Sequence, residues 1–151
     1  MKACFICFIL LGFWSCQISS DPITYGSDMC HHCKMTIVDQ RYGAELVTTK
    51  GKVKKFDAVE CMVDYISSED MTQYAMVLVN TYDQPSDLLN AADCHYLISP
   101  NMPSPMGAFL NAFASTEHLE KAQESNGGEA YTWSEISSNL EDLRINPNSD
   151  D

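Results

Sequence analysis

Residues 44–66 read Ala-Glu-Leu-Val-Thr-Thr-Lys-Gly-Lys-Val-Lys-Lys-Phe-Asp-Ala-Val-Glu-Cys-Met-Val-Asp-Tyr-Ile. The segments 44–49 and 53–56 are rich in residues that favour strands, and the Lys-Gly-Lys between them predicts a turn. Apolar side chains then recur at helical spacing up to residue 66. We therefore expect a β-hairpin followed by a helix over about residues 58–66.

The segments on either side extend this pattern. Asp57 stands three residues before Glu60, as in a capping box, which predicts where the helix begins. Residues 35–39 are short and β-branched and predict a strand before the hairpin. Residues 74–80 form a continuous apolar run and predict a strand in the middle of a sheet.

The second half of the chain repeats this order weakly. Its pattern predicts, in order, an extended segment at 94–99, a proline-interrupted loop at 100–107, a strand at 108–114 and a helix at 116–123. Asn126-Gly127-Gly128 ends that helix, and Thr132 with Glu135 caps a last helix that runs to about Leu143.

These elements predict an α+β fold of two small ββα-type units, with antiparallel sheets and packed helices, at residues 26–82 and 83–145. The two units either share one core or lie side by side. The 151 residues, 45% of them hydrophobic, are about one domain's worth of chain. The formal net charge of -12 repels phosphate backbones, so we expect no binding to nucleic acid.

The N-terminus has the features of an export signal. Lys2 precedes an uncharged apolar run from Ala3 to Trp14, which is too short to span a bilayer comfortably. Ser15-Cys16 then resembles a bacterial lipoprotein box, which predicts a signal peptide at 1–16, lipidation of Cys16 and a tether at 17–25. An ordinary secretory signal cut slightly later is the alternative. At the other end, residues 146–151 are expected to be disordered.

Residues 28–35, Asp-Met-Cys-His-His-Cys-Lys-Met, concentrate soft and borderline metal donors. If this segment enters the first strand in extended form, Cys33 and Met35 project from the same face. A thiolate with a thioether is a soft pair that selects Cu(I), whereas zinc seldom accepts methionine. Met106, in the stiff proline-rich loop 101–107, supplies a third donor if that loop folds over the strand, and Met102 is a weaker candidate.

Other interpretations of the cysteines stay open. Cys30 and Cys33 alone also fit a structural disulfide or a thiol-disulfide redox pair, and with Cys61 and Cys94 they fit a structural zinc site. Cys61 lies beside the apolar face of the predicted helix and is expected to be a small buried hydrophobe. For Cys94 we expect burial or a disulfide with Cys61.

The chain also resembles a known family, NosL, the accessory lipoproteins of nitrous oxide reductase, over residues 26–137. The motifs that carry the resemblance occur in order: Cys-His-His-Cys-Lys-Met-Thr-Ile-Val-Asp at 30–39, Ala44-Glu45-Leu46, Gly51-Lys52-Val53, Phe56-Asp57 with Cys61-Met62, and Ser104-Pro105-Met106-Gly107 with Ala112-Phe113. The resemblance implies two similar ββα units of the type also found in organomercurial lyase.

The resemblance implies a function as well. It implies a non-enzymatic chaperone of Cu(I), anchored through Cys16 to the outer membrane and facing the periplasm. Cys33 and Met35 match the family's Cys-x-Met copper ligands, Met106 matches its Met-Gly methionine, and Cys30 and His32 are auxiliary. The implied acceptor is nitrous oxide reductase or its maturation transporter complex, and we expect the chaperone to be a monomer.

Overall fold

The computed structural model describes residues 17–85 and 87–144. Seven strands and three α-helices follow one another along these residues: β1 (Ala44–Thr48), β2 (Val53–Phe56), α1 (Val59–Ile66), β3 (Tyr74–Val79), β4 (Leu89–Asn90), β5 (His95–Ile98), β6 (Leu110–Phe113), α2 (Thr116–Asn126), β7 (Glu129–Tyr131) and α3 (Trp133–Leu143). Short 3-10 turns at Met71–Gln73 and Ala91–Asp93 lead into β3 and β5.

The strands form two antiparallel sheets, one in each half of the chain. The first has the order β2-β1-β3-β4, with Ala44 of β1 paired with Phe56 on one side and Val79 on the other. The second has the order β6-β5-β7, with Tyr96 of β5 between Ala112 and Tyr131. β3 is thus an interior strand, as its continuous apolar run predicts.

The two halves share one hydrophobic core. Phe56 and Met62 of the first half belong to the same buried cluster as Tyr96, Leu110 and Ile136 of the second. All five side chains are fully buried. Of the two arrangements that the sequence allowed, the structure has the shared core.

Two local predictions are wrong. Residues 35–39 do not form a strand; the backbone there makes only an isolated bridge, between Thr36 and Met29. The N-cap of α1 is Ala58, and no side chain caps that helix, so Asp57 and Glu60 do not act as a capping box. Glu60 instead turns inward and is fully buried.

The first described residues pack against the domain. The Ile23 side chain is buried, and the Tyr25 hydroxyl donates a 2.7 Å hydrogen bond to Asn80 Oδ1. Asp21 pairs with Lys55 at 3.0 Å. Within the tether assigned at 17–25, the part from Asp21 onward therefore lies on the fold.

The predicted signal peptide at 1–16, with Cys16, and the predicted tail at 146–151 lie outside the described residues. Across the described part of the chain, none of the helices has the length and apolar character needed to cross a membrane.

Candidate metal site

The cysteine-rich segment is a tight turn between two short extended stretches. Cys30 N–H donates to the Met35 carbonyl at 2.8 Å, and Ile37 N–H donates to the Asp28 carbonyl at 2.9 Å. At the tip, Lys34 N–H donates to the Cys30 carbonyl at 3.1 Å, and Lys34 has a φ of 66°. The turn thereby folds Cys33 back toward Cys30.

One backbone hydrogen bond docks this turn on the first sheet. His31 N–H donates to the Lys55 carbonyl at 2.7 Å, near the end of β2. α1 begins three residues after β2 ends, and Cys61 lies in its first turn. The turn is therefore held beside the N-terminal end of α1, close to Cys61.

Three cysteine thiols meet at this place. The Sγ atoms of Cys30, Cys33 and Cys61 all lie within 4.8 Å of one another. Cys30 and Cys61 are buried, each 1% exposed, and Cys33 is partly exposed. All three are free thiols. We call this group the sulfur cluster; soft thiolate sulfurs at such spacing can together hold one soft metal ion.

Hydrogen bonds concentrate negative charge on Cys30. The Cys61 thiol donates to Cys30 Sγ, and the backbone N–H groups of Asp57, Cys33 and His32 also point at this sulfur. Together they lower the pKa of Cys30 to about 4, despite its burial. At neutral pH Cys30 is thus the thiolate of the cluster.

The other two thiols keep their protons more strongly. The pKa of Cys61 is raised, first because it donates its proton to Cys30 and then because it is buried. Burial is also the main cause that raises the pKa of Cys33. The metal-free cluster therefore carries one negative charge, shared through hydrogen bonds.

The structure places Met35 beside the cluster but not on an extended strand with Cys33. Met35 lies opposite Cys30 across the turn, and its N–H points at Cys33 Sγ. Its side chain is 54% exposed. The expected arrangement, with Cys33 and Met35 on one strand face, is absent because residues 31–33 form a turn.

The two methionines of the proline-rich loop lie in different surroundings. Met106 is partly buried and packs against the core cluster that contains Cys30 and Cys61. Met102 instead belongs to a separate apolar cluster with Leu97 and Phe113. Met102 is therefore a core residue of the second unit.

The histidines contribute less directly. The His32 side chain is exposed, and its backbone N–H rather than its imidazole serves Cys30. The His31 ring packs edge-on against Tyr65, with 5.2 Å between ring centroids. The pKa of His31 is lowered, mainly by burial. His31 therefore favours the uncharged form, and the side chain of this exposed residue lies next to Tyr65 rather than in the sulfur cluster.

Cys61 is not among the expected copper ligands, and the sequence offers it as a metal ligand only for a structural zinc site. Its position on an apolar helix face predicts burial, which is correct, but the burial is against two other thiols. Of the two alternatives for Cys94, burial or a disulfide with Cys61, the structure has burial, since both cysteines are free. The buried Cys94 thiol contacts the Asn90 carbonyl at 3.5 Å. Among the described residues, these three cysteines are the one such group of metal donors.

Comparison with known proteins agrees with this architecture. The crystal structure of the copper chaperone NosL from Shewanella denitrificans matches with a TM-score of 0.70 at 23% sequence identity, over 81% of this chain and 98% of that chain. This match confirms the predicted α+β fold. No curated protein matches the sequence. The model of the NosL family matches residues 23–140, most of the chain. The chain therefore belongs to the NosL family.

Proposed function

We propose that this protein is a copper chaperone that carries Cu(I) on the sulfur cluster and is not an enzyme. The observation that carries the proposal is the meeting of three thiols, two of them buried, within 4.8 Å. Cu(I) prefers soft thiolate and thioether donors and low coordination numbers. Cys30, Cys33 and Cys61 offer such a set, and we propose that the thioethers of Met35, on the same turn, and of Met106 complete it.

The charge of the cluster suits a buried monovalent ion. Cu(I) bound to the Cys30 thiolate alone forms a neutral pair, and a neutral pair avoids much of the desolvation cost of an isolated buried charge. Recruiting Cys33 and Cys61 requires each to lose its proton, which makes further coordination depend on pH. The protein can thus hold the ion with few or many thiolates.

Release is favoured on one side of the cluster. Cys33 is partly exposed and Met35 is exposed, whereas Cys30 and Cys61 are buried. An incoming donor can therefore reach the ion beside Cys33 and Met35 while the buried thiols still hold it. We propose that ligand exchange on this side passes Cu(I) to its acceptor.

Membership of the NosL family supports a proposal for the copper acceptor and the location. The matching crystal structure is that of a copper chaperone. We propose that this chain is exported, lipidated at Cys16 and anchored to the outer membrane, facing the periplasm. There, as a monomer, it delivers copper for the copper centres of nitrous oxide reductase, directly or through the maturation transporter complex.

The test is a Cu(I) competition titration of the reduced protein against a chromophoric Cu(I) chelator, with Zn(II) in parallel. Tight one-to-one Cu(I) binding is expected, and Cys33→Ser and Cys61→Ser should each weaken it at least about tenfold. Cys94→Ser, a free buried cysteine outside the cluster, is the matched control and should bind normally. Failure to compete with the chelator, or stoichiometric Zn(II) instead, would contradict the proposal.

One observation also favours a second function, thiol-disulfide exchange by Cys30 and Cys33. The low pKa of Cys30, together with the N–H of Asp57 just before α1, gives the stabilised thiolate that such proteins use. Insulin reduction separates the two functions: a copper carrier should not catalyse it. Catalysis that is lost in Cys33→Ser would support the redox function.

A further inference from the structure

Glu60 connects the helix that carries Cys61 to the loop that carries Met106. Its Oε1 accepts the Met106 N–H at 3.2 Å, and the Ser104 hydroxyl also donates to its carboxylate. Glu60 is fully buried in the first turn of α1, directly before Cys61. One helical turn therefore holds both the thiol of Cys61 and the backbone of the Met106 loop.

The Tyr42 hydroxyl and the Asn111 amide hold the start of the Met106 loop, through the carbonyls of Pro103 and Met102, and Glu60 holds the part around Met106. Gly107 N–H donates to the Ser104 carbonyl at 3.1 Å, which closes the turn around Met106. Ser104 Oγ accepts the N–H of Leu110 at 3.3 Å. Pro103 and Pro105 have no N–H to donate. The turn is thus a closed unit that the Glu60 carboxylate joins to α1.

Burying the Glu60 carboxylate by itself lowers the stability of the fold. Within the described residues, Glu60 Oε2 has no hydrogen-bond partner, and a buried polar atom left unpaired carries a desolvation penalty. Burial accordingly raises the pKa of Glu60. An apolar side chain of similar size would fill the space without that penalty. The contact with the loop is what a glutamate adds at this position.

The Met106 loop lies beside the first turn of α1. Met106 is partly buried against the core cluster that includes Cys30 and Cys61. The Met106 N–H donates to Glu60, the residue directly before Cys61, so the backbone of the loop lies against the turn of α1 that carries the Cys61 thiol. A shift of the loop relative to α1 changes the distance from the Met106 sulfur to that thiol.

We infer that Glu60 is a positioning residue, which fixes the Met106 loop on α1 so that the Met106 thioether is available to an ion on the sulfur cluster. This inference rests on the proposed function for its copper readout, but the hydrogen bond to the loop is independent of copper. Glu60 itself does not bind the metal; it acts through Met106.

The experiment compares Glu60→Leu with Glu60→Gln. Glutamine keeps an oxygen that can accept the Met106 N–H, whereas leucine cannot. Without copper, amide hydrogen exchange at Met106 should be faster in Glu60→Leu and close to wild type in Glu60→Gln. Glu45→Leu removes an equally buried glutamate from β1 and is the matched control, in which Met106 exchange should not change.

With copper, a double-mutant cycle tests the route of action. Glu60→Leu should weaken Cu(I) binding by about the same factor as Met106→Leu, on the order of tenfold. In the Met106→Leu background, Glu60→Leu should have no further effect, because the thioether is already gone. In the Met35→Leu background its effect should persist.

Equal losses from Glu60→Leu in the wild-type and Met106→Leu backgrounds would overturn the inference, because they would show a general effect on the fold. Unchanged exchange at Met106 in Glu60→Leu would overturn it as well. Wild-type protein that fails to bind Cu(I) would instead contradict the proposed function, and the exchange data would still decide the role of Glu60.

If Glu60→Leu does not fold, Ser104→Ala serves in its place, because it removes the other donor to the carboxylate. It should speed Met106 exchange and weaken Cu(I) binding only while Met106 is present. Wild-type exchange and affinity in Ser104→Ala, together with reduced affinity in Glu60→Gln, would contradict the positioning role.

Discussion

The Cys61 thiol donates a hydrogen bond to Cys30 Sγ, and this contact is the largest cause of the lowered pKa of Cys30. It joins the first turn of α1 to the cysteine-rich turn, two segments that are separated by the whole β1–β2 hairpin. The ionisation of one cysteine is thus controlled by a second that is distant in sequence.

Removing this donor should raise the pKa of Cys30. In the metal-free wild type, the ultraviolet absorbance of one thiolate should persist down to a midpoint near pH 4, since the pKa is about 4. In Cys61→Ala the midpoint should move to higher pH, because the thiolate loses its strongest donor. Cys94→Ala is the control and should leave the midpoint in place. An unchanged midpoint in Cys61→Ala would show that the backbone amides alone stabilise the thiolate.

The pH dependence of Cu(I) affinity should report how many thiols bind. Cys33 and Cys61 have raised pKa values, so each must release a proton when it becomes a ligand. If both bind, the affinity rises with pH by up to about a hundredfold per unit near neutral pH. Thioether donors do not titrate, so binding by Cys30 with Met35 and Met106 gives a flat profile above the pKa of Cys30. Competition titrations at several pH values measure the slope.

Glu45 should make the domain less stable as the pH rises. Burial raises its pKa from 4.5 to about 7, so the folded state keeps the proton that the unfolded chain loses. Stability contributed by this group is therefore full below about pH 4.5, falls between pH 4.5 and 7, and is constant above. By the standard conversion the loss is up to about 3 kcal/mol.

Glu45→Gln should remove this decline, which urea unfolding across the same pH range can measure. The exposed Glu120→Gln is the matched control and should keep the wild-type profile. The assignment fails if Glu45→Gln and wild type lose stability in parallel between pH 4.5 and 7.

Adjacent glycines after α2 should differ in their tolerance of a side chain. Gly127 and Gly128 have φ values of 68° and 100°. A Cβ at Gly127 has nothing within 4 Å, but its φ of 68° with ψ of -164° is a conformation essentially restricted to glycine, so Gly127→Ala should cost backbone strain of about 1–3 kcal/mol. A Cβ at Gly128 lies 2.3 Å from the Ile98 carbonyl oxygen at the end of β5. Gly128→Ala should therefore lower the melting temperature clearly more than Gly127→Ala; equal shifts would contradict this prediction.

The elements that sequence alone predicts are those decided by neighbouring residues. β2 has the predicted bounds. α3 begins with the predicted capping box, in which the side chains of Thr132 and Glu135 each accept a hydrogen bond from the backbone N–H of the other. Such features depend on side chains a few positions apart, so local spacing suffices to identify them.

The sulfur cluster depends on contacts that no local spacing encodes. Cys61 on the apolar face of α1 has the same pattern whether it packs against leucine or against another thiol. What places it beside Cys30 is the docking of the cysteine-rich turn on β2, through the backbone hydrogen bond from His31 to Lys55 and the 2.8 Å ion pair between Lys55 and Asp28. Because the backbone makes this hydrogen bond, the identity of the side chain at position 31 does not predict it.

Glu60 is a second residue whose contacts local sequence spacing does not predict. Its spacing from Asp57 matches a local capping signal, but its carboxylate accepts from the distant Met106 loop instead. In the folded protein the Glu60 side chain makes the tertiary contact with the Met106 loop and not the local capping contact. A glutamate at a predicted helix start whose neighbours are all apolar is therefore a candidate for an inward role.

The docking of the N-terminal segment limits how far the domain can stand from a membrane. Asp21 pairs with Lys55 and Ile23 is buried, so only residues 17–20 separate the packed chain from Cys16. Fully extended, four residues span roughly 14 Å. With lipid on Cys16, as we propose, the domain would lie directly against the lipid headgroups. A copper acceptor would then have to reach the bilayer surface to bind it.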